Sequence, residues 1–286
     1  MENAPSVQGE PHKRKPGRAG RDLPAAVGVG VGLALLVVVP LFSPYRWLFT
    51  GVLLGAAALG TYEVVSALRR LGARPPLVPL LLGGGAMVVL AYRDGPEPLV
   101  VGLALTVLAA LVWRLADPPA GYLHDVAAAA FTATYVPFLA GFAALLAAPD
   151  DGARRVTVFV AAVVCSDVGG YAAGVFLGRH AMAPSVSPKK SWEGFAGSLL
   201  AGALGGAAMF AGLLDAAPLL GVLYGVAIVC TATLGDLGES MVKRDIGIKD
   251  MGDLLPGHGG LMDRLDSLLP SAPVAWLLLG LFVPVP

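Results

Sequence analysis

The densest group of charged side chains in this sequence lies between residues 235 and 266, where acids and bases alternate with glycines. The chain as a whole is 56% hydrophobic and only 14% charged, so this polar segment stands apart from the rest. Carboxylates bind hard cations, Lys and Arg neutralise phosphate oxygens, and glycines let backbone N–H groups approach a ligand. The segment therefore predicts a site that binds a metal ion together with a polyphosphate. The alternative is a solvated loop between two membrane helices.

Two groups of residues in this segment have the spacing of a helix face. The first occupies positions i, i+3, i+4 and i+7 at the end of an apolar span, and it consists of Asp236, Glu239, Ser240 and Lys243. The second is the pair Asp263 and Asp266, at the start of the next span. Carboxylates at two helix ends that a glycine-rich loop joins form a plausible clamp around a hard cation such as Mg²⁺. The alternative for the second pair is a salt bridge at the membrane border.

Asp167 is the only charged residue between Val156 and Leu177. An acid inside a membrane span is costly and is therefore a functional candidate. At i+3, i+7 and i+11 from it stand three glycines, which predict a stripe for close helix contact: Gly170, Gly174 and Gly178. We therefore expect Asp167 to face other helices or a polar cavity. A purely structural hydrogen bond is the alternative to a functional role.

The loop at residues 187–194 reads Ser-Pro-Lys-Lys-Ser-Trp-Glu-Gly. Lys189 and Lys190 bring two ammonium groups next to the start of a helix. Ser191 is expected to cap that helix and leave N–H groups facing an anion, so the loop predicts phosphate binding. The alternative is a positively charged membrane anchor with the tryptophan at the interface. That alternative accounts for the lysines and the tryptophan but not for Glu193.

A mean hydropathy of +0.73, 38 glycines and long uncharged runs are typical of a membrane protein. We predict an all-α, polytopic bundle of about nine membrane-spanning helices, at residues 23–44, 47–67, 76–92, 98–114, 126–148, 156–178, 194–214, 217–238 and 267–285. The chain then divides into a disordered basic tail at 1–22, N-terminal transmembrane helices at 23–154 and a C-terminal catalytic region at 155–286.

The basic residues predict the orientation of this bundle. With nine spans, only four of the 20 Lys and Arg residues fall on the side opposite the N-terminal tail: Arg46, Arg93, Arg154 and Arg155. The positive-inside rule then makes the tail and both polar motifs cytoplasmic, where nucleoside triphosphates are available. Cys165 and Cys230 lie inside spans, so we expect packing roles rather than a disulfide or a metal site.

Three motifs resemble the phosphatidate cytidylyltransferases, also called CDP-diacylglycerol synthases. They are Ser240–Asp266 without a gap, Ser187–Gly194, and Ser166–Tyr171 followed by Gly178-Arg179. Family members often carry Thr where this chain has Ser191. The resemblance implies an enzyme of phospholipid biosynthesis in the cell membrane that condenses CTP with phosphatidate to CDP-diacylglycerol and pyrophosphate. It further implies Mg²⁺ as the cofactor, with a second monovalent or divalent cation left open, and a homodimer; no nucleic-acid partner is expected.

The resemblance, together with the residue chemistry, assigns roles to particular positions. Catalytic roles fall on Asp236, Lys243, Arg244, Asp263, Arg264 and Asp266. Binding of CTP and its phosphates falls on Ser187, Lys189, Lys190, Ser191, Glu193, Lys249, Asp250, His258, Gly259 and Gly260. Metal binding falls on Asp236, Asp263 and Asp167.

Two other functions are compatible with parts of the pattern. A CTP-dependent lipid kinase would transfer the γ-phosphate to a lipid alcohol, but the complete polar segment and the lysine loop argue against it. A polytopic transporter would place ionisable groups near the middle of several helices, whereas here most collect at one face. Glu63 has no identifiable partner in the sequence and is either structural or in contact with a lipid headgroup.

Overall fold

The computed structural model describes residues 23–254 and 259–284, which form a bundle of helices joined by short connections. The first half contains α1 Leu23–Leu41, α2 Trp47–Leu68, α3 Leu77–Asp94, α4 Pro96–Arg114, α5 Tyr122–Ala133 and α6 Leu139–Ala147. The second half contains α7 Gly152–Leu177, α8 Trp192–Leu213, α9 Pro218–Ile246, α10 Met262–Leu265 and α11 Leu268–Phe282. A 3₁₀ turn, Arg69–Leu71, follows α2.

The spans predicted from hydropathy agree with these helices. Within the described residues, eight helical stretches are long and apolar enough to cross a membrane, and a shorter apolar stretch, Gly30–Leu41, occupies the first predicted span. The all-α polytopic membrane fold is therefore confirmed. The span expected at 126–148 is α5 and α6 joined through a π-helical turn, Thr134–Phe138, which contains Pro137. Proline lacks a backbone N–H, so the helix widens there rather than continuing regularly.

The connection between α7 and α8 contains a small antiparallel hairpin that the sequence did not predict. Its strands are β1 Ala181–Ala183 and β2 Ser187–Ser191, with Ala181 opposite Ser191. Pairing within the connection satisfies backbone polar groups that neither helix can use. The hairpin ends at α8, so the two lysines of β2 lie close to the end of α7.

Glycines bring α7, α8 and α9 into close contact. A Cβ atom on Gly170 would lie 2.4 Å from Oγ of Ser198, and one on Gly174 would lie 3.8 Å from Cα of Gly194. The glycine stripe next to Asp167 therefore packs against α8, as predicted. On the other side of α8, a Cβ on Gly225 would lie 1.9 Å from the carbonyl oxygen of Gly202.

Two large clusters of buried side chains hold the helices together, and each contains residues from both halves of the chain. One joins Phe49 and Leu146 to Phe210 and Tyr224. The other joins α2, α3 and α6 to residues within the polar segment, among them Met262. The N-terminal helices therefore support the polar segment directly. Cys165 and Cys230 are free thiols, as expected.

The connections between helices lie at two opposite ends of the bundle, and side-chain contacts show which connections share an end. At one end Arg46 forms an ion pair with Asp150 at 3.0 Å, and Arg155 donates to the carbonyl oxygen of Val283 at 2.7 Å. Both polar motifs lie at the other end, where Arg244 donates to the carbonyl oxygen next to the lysine strand. The four arginines predicted to lie opposite the tail are all at helix termini of this first end, as the alternation of spans requires: Arg46, Arg93, Arg154 and Arg155.

Candidate active site

A cavity of about 310 Å³ lies at the motif-bearing end of α7, α8 and α9. Five residues with a predicted catalytic or binding role line it: Asp167, Lys189, Lys190, Ser191 and Asp236. The side chains of Tyr171, Met182 and Ser267 contribute to the same wall. Two carboxylates and two ammonium groups from three distant parts of the chain therefore face one space.

Local structure explains how the lysine strand reaches this cavity. Ser191 is the N-cap of α8, and its Oγ accepts a hydrogen bond from the backbone N–H of Gly194 at 3.1 Å. The predicted cap is thus confirmed. Because α8 begins immediately after β2, Lys190 points across to α9, where its Nζ lies 2.5 Å from Oδ2 of Asp236. This ion pair links the two polar motifs.

Glu193 stabilises the hairpin and is not among the residues that line the cavity. Its Oε2 accepts hydrogen bonds from the N–H groups of Arg179 and His180 at 3.0 and 3.2 Å, and its Oε1 lies 2.5 Å from Nδ1 of His180. Ser187 begins β2, away from the lining. Arg244 donates from Nε to the carbonyl oxygen of Val186 at 3.3 Å. Glu193 and Arg244 therefore stabilise the hairpin that contains the two lysines.

A second charged cluster lies beside the first, one turn further along α9. Helix α9 continues to Ile246, so Asp236, Glu239, Ser240 and Lys243 do share one face. Nζ of Lys243 lies 3.1 Å from Oε1 of the fully buried Glu239 and 2.8 Å from Oδ1 of Asp263. Oε2 of Glu239 has no hydrogen-bond partner among the described residues.

Asp263 is held on both of its oxygens. Besides the contact of Oδ1 with Lys243, Oδ2 accepts hydrogen bonds from the N–H groups of Gly260 at 2.8 Å and Met251 at 3.0 Å. Asp263 is not among the described residues that line the cavity. The structure therefore brings Asp167 and Asp236 together and places the third predicted metal ligand in the neighbouring cluster.

Asp266 connects the two clusters through the chain. Its Oδ1 accepts a hydrogen bond from the N–H of Ser267 at 2.7 Å, and Ser267 lines the cavity. Its carbonyl oxygen packs against Gly235, where a Cβ atom would lie only 2.5 Å away. The glycine at position 235 thus lets the start of α11 approach the carboxylate-bearing part of α9.

The remaining predicted residues lie in the connection between α9 and α10, except Arg264, which lies within α10. Lys249, Asp250 and Arg264 are exposed. Gly259 has a φ of 80°, a backbone conformation that only glycine adopts readily. It packs against Asp250 and Asp263. His258 lies outside the described residues. Gly260 donates its N–H to the carboxylate of Asp263, and Gly259 packs closely against the same carboxylate.

Glu63 is the polar residue whose partners the sequence did not reveal. It is buried, and its two carboxylate oxygens accept hydrogen bonds from the N–H groups of Leu261 and Met262 at 2.9 and 2.8 Å. A lone acid in an apolar span was the only available signal, because its partners are backbone groups nearly two hundred residues away. The lipid-headgroup alternative does not fit this buried position.

The cavity fits a magnesium ion by the chemistry of its donors. Among the described residues, no three His, Cys, Asp or Glu side chains converge into a metal centre. Mg²⁺, however, keeps several waters and usually takes only one or two protein carboxylates together with substrate phosphates. Asp167 and Asp236 supply two carboxylates beside two lysines, which is a donor set of that kind.

The fold and this cavity define a polytopic helical membrane protein whose charged groups collect at one end of the bundle. The chain belongs to the cytidylyltransferase family, whose sequence profile matches residues 25–282. The resemblance seen in three motifs is therefore confirmed, and it extends through the apolar N-terminal helices as well.

Individual relatives match over most of their length. A phosphatidate cytidylyltransferase of Mycobacterium bovis is 47% identical over 278 residues, which cover 92% of this chain and 90% of that protein. The phosphatidate cytidylyltransferase of Mycobacterium leprae is also 47% identical, over 92% of this chain and 89% of its own length. That of Helicobacter pylori is 32% identical over 85% of this chain and 86% of its own.

Proposed function

We propose that this protein transfers the cytidylyl group of CTP to phosphatidate and so makes CDP-diacylglycerol and pyrophosphate for phospholipid synthesis. The observation that carries the proposal is the 47% identity to phosphatidate cytidylyltransferases over 92% of the chain. The charged cavity supports it, because two carboxylates and two ammonium groups suited to phosphoryl transfer line one space at the end of the bundle: Asp167, Asp236, Lys189 and Lys190.

The reaction joins two anions, so its main obstacle is electrostatic. A phosphate oxygen of phosphatidate attacks the α-phosphorus of CTP, and the bond from that phosphorus to the oxygen bridging to the β-phosphate breaks. Two unit charges 4 Å apart repel by about 4 kcal/mol at an effective dielectric constant of 20. Lys189 and Lys190 offset this repulsion by donating charge-assisted hydrogen bonds to the triphosphate. Asp236 keeps Lys190 oriented toward the cavity.

The attacking oxygen needs no general base in this site. A phosphate monoester is already ionised near neutral pH, since its second ionisation has a midpoint of about 6. The site is accordingly rich in carboxylates and ammonium groups, and no histidine is among the described residues that line the cavity. Its side chains orient the two phosphates and balance their charge.

Asp167 and Asp236 are the residues that we propose to hold Mg²⁺. Such an ion, when bound, neutralises charge on the triphosphate and on the leaving pyrophosphate. Asp263 and Lys243 then act beside this centre by fixing the glycine-rich turn against α9. Around Glu239, Asp263 and Asp266 acidic side chains outnumber basic ones. This excess of negative charge would favour the binding of a second cation.

The orientation and assembly proposed for the protein follow the same chemistry. We place the protein in the plasma membrane with its motif-bearing end facing the cytoplasm, so that the cavity shares a compartment with CTP. The positive-inside rule supports this orientation. The resemblance supports a homodimer, and the exposed Gly51 and Gly55 on α2 would permit close contact with another helix.

Product analysis of the purified protein tests the function. In detergent with CTP, phosphatidate and Mg²⁺, CDP-diacylglycerol and pyrophosphate should appear in equal amounts, and neither should form when phosphatidate is omitted. Release of CDP with a phosphorylated lipid would instead identify a lipid kinase and contradict the proposal.

A further inference from the structure

Glu63 links the N-terminal helices to the polar segment. It lies near the end of α2, only 2% of its surface is exposed, and it accepts backbone hydrogen bonds from a part of the chain 198 and 199 residues further on. The two bonds run from the N–H of Leu261 to Oε1 and from the N–H of Met262 to Oε2. A buried carboxylate requires such partners, and here both oxygens bind one turn of main chain.

The main chain fits closely around this carboxylate. A Cβ atom on Gly252 would lie 2.6 Å from Oε1 of Glu63, and one on Gly260 would lie 2.7 Å from Oε2. Real Cβ atoms do not approach other atoms so closely, so a side chain at either position would displace the Glu63 carboxylate. Two glycines of the polar segment are thus explained by a side chain from outside it.

Three consecutive backbone N–H groups in this turn bind two carboxylates. That of Gly260 binds Oδ2 of Asp263, while those of Leu261 and Met262 bind Glu63. Asp263 in turn contacts Nζ of Lys243 at 2.8 Å. A displacement of the turn would therefore move Asp263, and with it the lysine that α9 presents to the cluster.

We propose that Glu63 is a positioning residue for the cytidylyltransfer reaction, because it fixes the turn at residues 260–262 and thereby the place of Asp263 and Lys243. Glu63 is not among the residues that line the cavity. The inference rests on the proposed function for its kinetic part, while its structural part is independent of activity.

Two variants of Glu63 separate position from charge. In Glu63→Gln only the carbonyl oxygen accepts a hydrogen bond, so one of the two backbone N–H groups loses its partner. Glu63→Asp keeps the charge but is one methylene shorter and does not reach both N–H groups. For both we expect kcat to fall about 10- to 100-fold, the size of effect that a misplaced catalytic group produces. The KM for CTP should change less than about threefold, because the cavity lysines are untouched.

Asp125→Asn is the matched control. Asp125 is an equally buried carboxylate that accepts hydrogen bonds from a backbone N–H, of Arg74, and from Nε of Arg114, with no contact to the turn. It should lower thermal stability while kcat per folded protein stays within about twofold of the parent. If both Glu63 variants lose no more activity than this control, Glu63 is merely structural and the proposal is wrong.

Hydrogen exchange provides a readout that needs neither turnover nor a variant that folds. In the unaltered protein, the N–H groups of Leu261 and Met262 should exchange at least about 100-fold more slowly than those of the exposed Lys249 and Asp250. Equal exchange rates would overturn the proposal. If the unaltered protein makes no CDP-diacylglycerol yet shows this protection, the proposed function fails while the contact between Glu63 and the turn stands.

Discussion

At the scale of single residues, the ion pair between Lys190 and Asp236 joins two motifs that are separated in the sequence. Lys190 lies in the proline-containing strand β2, Asp236 lies in α9, and the two side chains meet in the lining of one cavity. Before substrate binds, the acid and the base neutralise each other. When substrate binds, the carboxylate can exchange its partner for a cation and the lysine can exchange its partner for a phosphate. The predicted division of roles between carboxylates and lysines therefore has a physical basis in one contact.

Asp236→Asn should lower kcat by about 100-fold or more while the protein remains folded and inserted. Asparagine keeps the shape of the side chain but loses the charge that pairs with Lys190 and that we propose to hold Mg²⁺. Steady-state kinetics at several Mg²⁺ concentrations measure this loss. Asp215→Asn is the control, since Asp215 is exposed between α8 and α9 with a φ of 50°, a conformation that asparagine tolerates. Near-normal activity of Asp236→Asn at ordinary Mg²⁺ would remove Asp236 from the metal site.

Replacement of Lys189 and Lys190 by glutamine should raise the KM for CTP. Each lysine lines the cavity, and a hydrogen bond to a charged group contributes about 1.5–3 kcal/mol, or roughly 10- to 150-fold in affinity. Arg93→Gln, at the end of α3, removes a basic charge from the other end of the bundle and should leave KM unchanged. If the lysines serve only to orient the protein in the membrane, expression would fall while the CTP dependence stayed the same.

At the scale of elements, the predictable features are those that neighbouring residues determine. The N-cap at Ser191, the common face of α9 from Asp236 to Lys243 and the glycine stripe after Asp167 all depend on spacing within one helix. The hairpin at 181–191 was missed because its pairing depends on the two helices that flank it. Glu63 was left without a partner because its hydrogen bonds join α2 to a turn far along the chain.

Close packing of α8 against α9 should depend on Gly225. A Cβ atom there would lie 1.9 Å from the carbonyl oxygen of Gly202, so Gly225→Ala should force the helices apart and lower the midpoint of thermal unfolding. Gly238→Ala is the control in the same helix, because a Cβ atom on Gly238 meets nothing within 4 Å. That variant should leave the midpoint unchanged or raise it, since alanine favours helix by about 1 kcal/mol. Equal midpoints for both variants would contradict the packing.

At the scale of the whole molecule, the helices separate two ends with different chemistry. Both polar motifs, the cavity and the turn bound by Glu63 lie at one end, while Arg46, Asp150 and Arg155 lie at the other. Hydropathy and the distribution of basic residues were sufficient to predict this division. They could not predict that the N-terminal helices contact the polar segment, because apolar spans carry no information about which helices are neighbours.

Cysteine labelling in intact cells tests the proposed orientation. Single cysteines at Ser187 and at the exposed Asp253, in a background without Cys165 and Cys230, should resist an impermeant thiol reagent until the membrane is opened. A cysteine at Asp151 should label from outside, because Asp151 lies at the opposite end of the bundle. External labelling at both Ser187 and Asp253 would invert the orientation and remove the cavity from the compartment that contains CTP.

The most direct test of the central claim is to follow each phosphate of CTP into product. Purified protein is incubated with phosphatidate, Mg²⁺ and CTP that carries a radioactive phosphorus at either the α or the γ position. The account predicts that α-label enters the lipid fraction as CDP-diacylglycerol and that γ-label leaves as pyrophosphate, with both transfers strongly reduced in Asp236→Asn. Entry of γ-label into lipid, or retention of α-label in soluble CDP, would contradict it.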